Sequence, residues 1–145
     1  MRRRMKQQHP PDRPWDLKHR PGGLIDIEFI AQYLMLRHAA ASPQVLATST
    51  DEALQRLAEA GVLVPAAAEA LRRTLSLWRR LQEFLRLTVG SHFDEESLAP
   101  SVARRLAEIG GAVDFAALKR QMSEAAAEVR RHYREIVESE EEIKT

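Results

Sequence analysis

Cysteine is absent from all 145 residues. That excludes disulfides, thiolate chemistry and cysteine-ligated zinc or iron–sulfur centres, and it is compatible with a reducing, cytoplasmic setting. Long apolar runs are also missing. None approaches the ~20 residues needed to span a bilayer, so no membrane partner is expected. The basic start MRRRMKQQHPPDRP has no apolar stretch behind it and does not read as a secretory signal. The five histidines are scattered without HExxH or a similar spacing, so they suggest no metal site. There is no bulk charge imbalance either: the formal net charge is +1, which points to no particular partner.

What is present is a chain of ordinary globular composition, 44% hydrophobic and 30% charged, long enough to bury a core as one domain. Its net charge is unevenly distributed. Residues 1–20 hold seven Lys/Arg against two Asp, and residues 138–145 hold four Glu against one Lys. Composition therefore divides the chain into an extended, basic and proline-rich lead-in (1–20), a folded region (21–139) and an acidic tail (140–145).

Apolar spacing within the folded region predicts helices throughout and no strand. A first helix is expected after Gly22-Gly23 and up to about Ala41, where Ser42-Pro43 stops it. Ile27, Ile30, Tyr33 and Leu34 lie on one face, with Phe29 and Leu36 widening the apolar arc. Ser49 and Glu52 form a capping box for a second helix that ends at Gly61. A long third helix is predicted from Pro65 to about Val89. Leu71, Leu75, Trp78, Leu81, Leu85 and Thr88 make its seam, and five arginines lie elsewhere on it. A short fourth helix runs from Pro100 to Ile109. A fifth is capped by Asp114, with Val113 and Leu118 placed for a hydrophobic staple, and a seam that includes Met122, Val129 and a packed His132. The expected fold is all-α: a bundle of about five helices with one long central helix.

The segment DLKHRPGGLIDIEF, Asp16 to Phe29, stands out. Gly22-Gly23 before a helix can expose free N–H groups to an anion, with Lys18, His19 and Arg20 adding positive charge. Lacking GxGxxG or Walker spacing, it reads more readily as a close-packing turn. Asp26 and Glu28 point about 200° apart on a helix and cannot share one metal as neighbours. With Ile25, Ile27 and Phe29 interleaved with them, at least one carboxylate should meet another protein surface and need a partner. No aromatic residues interleave with the arginines of the third helix as in a nucleic-acid stacking platform, so no nucleic acid is expected.

The stretch DLKHRPGGLIDIEFIAQYLMLRHA carries more than spacing. It resembles the segment that follows a nucleotidyltransferase domain in the bifunctional glutamine synthetase adenylyltransferase/adenylyl-removing enzymes. The residues concerned are Asp16-Leu17-Lys18, Gly22-Gly23, Asp26 to Ile30 and Gln32-Tyr33-Leu34, with RRRM upstream. PGGLIDIEFIAQYL is more similar to the C-terminal, adenylylating half. The resemblance implies a helical domain of an enzyme that moves AMP from ATP to a tyrosine of glutamine synthetase in nitrogen regulation. That enzyme uses magnesium and is regulated by glutamine and the PII signal protein. It also implies an upstream nucleotidyltransferase domain as partner, because the metal-holding Asp-x-Asp pair of that superfamily does not occur here, Asp26-Ile27-Glu28 being the nearest pattern and lying in an expected helix. The chain alone is then expected to be inactive, without catalytic residues, metal ligands or bound cofactor. Lys18, Gly22, Gly23, Asp26 and Glu28 become candidates for lining the interdomain, nucleotide-side cleft, with the charged ones under-satisfied within this domain. The alternative is a free-standing helical adaptor that binds a protein.

Overall fold

The computed structural model describes residues 13–90 and 93–139. Among these there are five α-helices and no strand: α1 Leu24–His38, α2 Thr50–Glu59, α3 Pro65–Thr88, α4 Pro100–Gly110 and α5 Phe115–Tyr133. The all-α expectation holds, and α3 is the centre. Its 24 residues, about 36 Å of helix, touch each of the other four helices, while α1 also packs against α2 and α5.

Local signals explain the boundaries. The Ser49 hydroxyl accepts from the Glu52 N–H at 3.1 Å, and the Asp114 carboxylate accepts from the Ala117 N–H at 2.8 Å. Pro65 and Pro100 occupy first-turn positions, where a missing N–H costs nothing. The seams close into one core in which Trp78, Leu71, Leu75, Leu81 and Leu118 are buried.

Several expectations need correction. Helix α1 ends at His38, short of Ala41, and Phe29 and Leu36 lie outside the core, 41% and 81% exposed. Thr88 is exposed, so the α3 seam closes at Leu85. The Val113 staple does not form, since Val113 is 92% exposed. A side-chain bond across the α4–α5 corner, from Gln121 Nε2 to the Gly110 carbonyl at 2.9 Å, ties it instead. Residues 13–20 are not extended. They turn back on themselves, with Leu17 buried and Trp15 packed against Phe93 and Phe115 at ring-centroid distances of 4.9 and 5.6 Å. The rest of the lead-in, residues 1–12, and the acidic tail, 140–145, lie outside the described residues.

Two surface carboxylates give the fold a testable pH response. Asp51 faces Arg72 through two bonds of 2.9 and 3.2 Å. Glu95 accepts from Lys119 and from Trp15 Nε1, both at 2.8 Å. The hydrogen bond from Arg72 holds Asp51 below the usual carboxylate range, and those from Lys119 and Trp15 do the same for Glu95. A depressed folded-state pKa contributes stability above the unfolded value and loses it as pH falls through the folded one. The melting temperature should therefore be flat from neutral pH to about 5 and fall below about pH 4. The drop should be modest, because both groups are partly solvated. Lys119→Met should reduce it, leaving the share of Asp51. Thermal melts in a pH series test this, and a melting temperature that rises below pH 4 would contradict it.

Candidate functional site

The Gly22-Gly23 turn is the point where the incoming chain, α1, α3 and α5 meet. Gly22 has φ +81°, a conformation that favours glycine, and a Cβ there would run into the backbone of Ala126 on α5. Its carbonyl accepts from Trp78 Nε1 of α3 at 3.0 Å, and its N–H donates to Asp26 Oδ2 of α1 at 2.6 Å. A Cβ on Gly23 would collide with the Leu17 carbonyl. Both glycines are buried.

The free N–H groups that an anion would need are already used. Gly22 donates to Asp26, Gly23 to the Arg20 carbonyl at 2.8 Å, Leu24 to the Leu17 carbonyl at 2.8 Å and Ile25 to the Lys18 carbonyl at 3.1 Å. Residues 17–20 thus cap α1 from outside with their own carbonyls, and the turn reading prevails over the phosphate-loop reading. Arg20 does not aim at a vacant anion site. Its Nη1 donates to the Pro14 carbonyl at 2.9 Å, its guanidinium lies over the Trp78 ring at 5.5 Å, and burial pulls its pKa below the ordinary value.

The two acids separate. Asp26 is fully buried, and besides the Gly22 N–H it meets Arg130 Nη1 of α5 at 3.3 Å. Asp26 thus has partners inside the domain, both of them at Oδ2. Arg130, 7% exposed, continues to Glu138 Oε1 at 3.4 Å and lies over the Tyr133 ring at 4.6 Å. Glu138 comes within reach because the chain after α5 widens into a π-helical turn, Arg134–Glu138, which also buries Val137. Glu28 lies on the other side of α1, half-buried, and Lys18 is exposed. Neither side chain hydrogen-bonds or ion-pairs with another described residue. The structure therefore brings Gly22, Gly23 and Asp26 together in an internal anchor and leaves Lys18 and Glu28 outside it. Among the described residues no three His, Asp or Glu side chains gather as metal ligands.

Arg130 was missed from the sequence, although a signal existed. Met122, Ala126, Val129, Tyr133 and Val137 are buried and mark the inner face of this segment. Position 130 belongs to that face by its spacing from 126 and 133, so an arginine there demands a buried acid.

A family model described as GlnD PII-uridylyltransferase matches residues 1–137. The chain belongs to this family. Curated relatives of this GlnD PII-uridylyltransferase family member carry the adenylyltransferase name that the Asp16–Leu34 segment suggested. The bifunctional glutamine synthetase adenylyltransferase/adenylyl-removing enzyme of Rhodopseudomonas palustris is 40% identical over 137 residues, 94% of this chain and 14% of that protein. The same-named enzyme of Bradyrhizobium diazoefficiens is 41% identical over 138 residues, 95% and 14% respectively. That of Xanthobacter autotrophicus is 38% identical over 125 residues, 86% and 13%. The chain thus spans about one seventh of the relatives it matches. No solved structure matches it.

Proposed function

We propose that this chain is the helical unit of a glutamine synthetase adenylyltransferase. It would stand beside a nucleotidyltransferase domain that moves AMP from ATP to a tyrosine of glutamine synthetase. The observation that carries the reading is the similarity itself: about 40% identity to enzymes of that name along 94% of this chain but only 14% of theirs. The internal anchor supports a non-catalytic role. Asp26 is committed to Arg130 and Gly22, and Glu28 points away from it, so this acid pair cannot hold the magnesium that the transfer uses. ATP and magnesium would bind the other domain, and the glycine turn would set the angle at which the chain arrives from it. Lys18 and Glu28, the two candidates with unengaged charge, would face that domain. PII and glutamine are proposed as regulators of the whole enzyme, and the cytoplasm as its location. Among the described residues no helix is long and apolar enough to cross a membrane.

The test is an AMP-transfer assay with labelled ATP, magnesium and glutamine synthetase. The chain, the nucleotidyltransferase domain of the same gene, their mixture and the continuous polypeptide are compared. Label on glutamine synthetase is expected from the continuous polypeptide and not from this chain alone. A parallel arm with labelled UTP and PII protein covers the chemistry in the family's name, and label only there would replace this reading. Label from the chain alone would overturn its non-catalytic role. No label in any arm would favour the free-standing adaptor.

A further inference from the structure

Helix α1 differs from the other four in being apolar on both sides. Leu24, Ile27, Ile30 and Leu34 fill the core, yet Phe29 and Leu36 on the outer side are 41% and 81% exposed. A helix that is apolar all round is normally covered all round. Ile25, Phe29, Gln32 and Leu36 follow the spacing i, i+4, i+7, i+11 and form one continuous outer strip. Glu28 flanks it, half-buried, and Lys18, exposed, marks its N-terminal end; neither side chain has a polar partner among the described residues. The Phe29 ring is already braced by Tyr133 at 5.8 Å and Tyr33 at 6.5 Å, so a partner would meet an aromatic group with little freedom left to lose.

We propose that this outer face of α1 is the seat of the nucleotidyltransferase domain of the parent polypeptide, with Phe29 and Leu36 as its apolar anchors and Lys18 and Glu28 as its charged rim. The inference rests on the proposed function for the identity of the occupant. Geometry favours that occupant. The Lys18 and Leu17 carbonyls accept from the first turn of α1, so a domain on the N-terminal side of the chain would be tethered at one end of the strip. The strip is about 17 Å long. Covalent connection raises the effective concentration of the two surfaces for each other. Opposite charges on the rim would fix the register of a contact whose centre is apolar.

The experiment places the photo-crosslinker p-benzoylphenylalanine at Leu36 in the full parent polypeptide. A second protein carries it at Leu87, which is 79% exposed on α3 and away from the strip. After irradiation, peptides are mapped by mass spectrometry. The expected result is an intramolecular crosslink from position 36 into the nucleotidyltransferase domain and none from position 87. Phe29→Asp should lower the yield at position 36 by about tenfold, the loss expected when a charge replaces a buried anchor. No crosslink from position 36, equal yields from both positions, or a crosslink only between two copies of the polypeptide would each overturn the proposal. AMP transfer is measured on the same preparations. Transfer without the crosslink removes the docking face and leaves the function, whereas the crosslink without transfer leaves the face and removes the function.

Discussion

Gly22→Ala is expected to lower the melting temperature by about 10 °C or to prevent folding, a loss of roughly 3 kcal/mol or more for a domain of this size. Two costs combine. A non-glycine residue in the left-handed region costs roughly 1–2 kcal/mol. The added methyl would also meet the Ala126 backbone, which cannot turn aside as a flexible side chain can. Relief requires α5 to move away from the turn, and that loosens the Trp78 bond to the Gly22 carbonyl as well. Gly61→Ala provides the control. Gly61 has a similar φ of +75° but open space around it, so only the conformational cost of about 1 kcal/mol should appear. Melting curves at 222 nm for the two variants side by side decide the matter. Equal losses would show that close approach of α5 contributes nothing at Gly22.

The second large effect is expected from Asp26→Ala, at about 3–5 kcal/mol. Arg130 is 7% exposed, and removing the carboxylate leaves a buried guanidinium with Glu138, at 3.4 Å, as its one acidic partner among the described residues. The Gly22 N–H loses its acceptor at the same time. Asp26→Asn keeps an acceptor of the same shape and should cost less. Asp26→Ala combined with Arg130→Met should recover part of the loss, because the stranded charge is gone. Urea unfolding of the four proteins measures these differences. A double variant no more stable than Asp26→Ala would mean that the burial of Arg130 is not the source of the cost. A loss under about 1 kcal/mol for the single variant would contradict the anchor itself.

The two variants also separate structure from function in the motif. Gly22, Gly23 and Asp26 act inside the domain, so changes there should affect stability and activity together. Lys18 and Glu28 are outside the anchor, and their replacement should alter behaviour in the parent polypeptide with little change in melting temperature.

Much of the fold was legible because helices report locally. Ser49 and Asp114 cap the helices they were expected to cap, and the periodic leucines of α3 are buried as their spacing requires. Errors arose where a local pattern left more than one outcome open. Phe29 and Leu36 widen the apolar arc of α1 on paper, yet the neighbours of that helix cover only one side. Val113 is well placed for a staple, but the α4–α5 corner leaves it in solvent.

By itself the sequence determined the number, order and approximate limits of the helices, the close turn at Gly22-Gly23 and the likeness to the adenylyltransferase segment. Caps, prolines, glycines and periodicity act over a few residues, and a motif is recognised by its order. Only the tertiary structure decided which acid turns inward. Asp26 and Arg130 are 104 positions apart, and Trp78 lies 56 positions from the carbonyl it binds. Pairings of that length depend on how the helices pack, because burial leaves each charge no alternative to the partner that packing brings beside it.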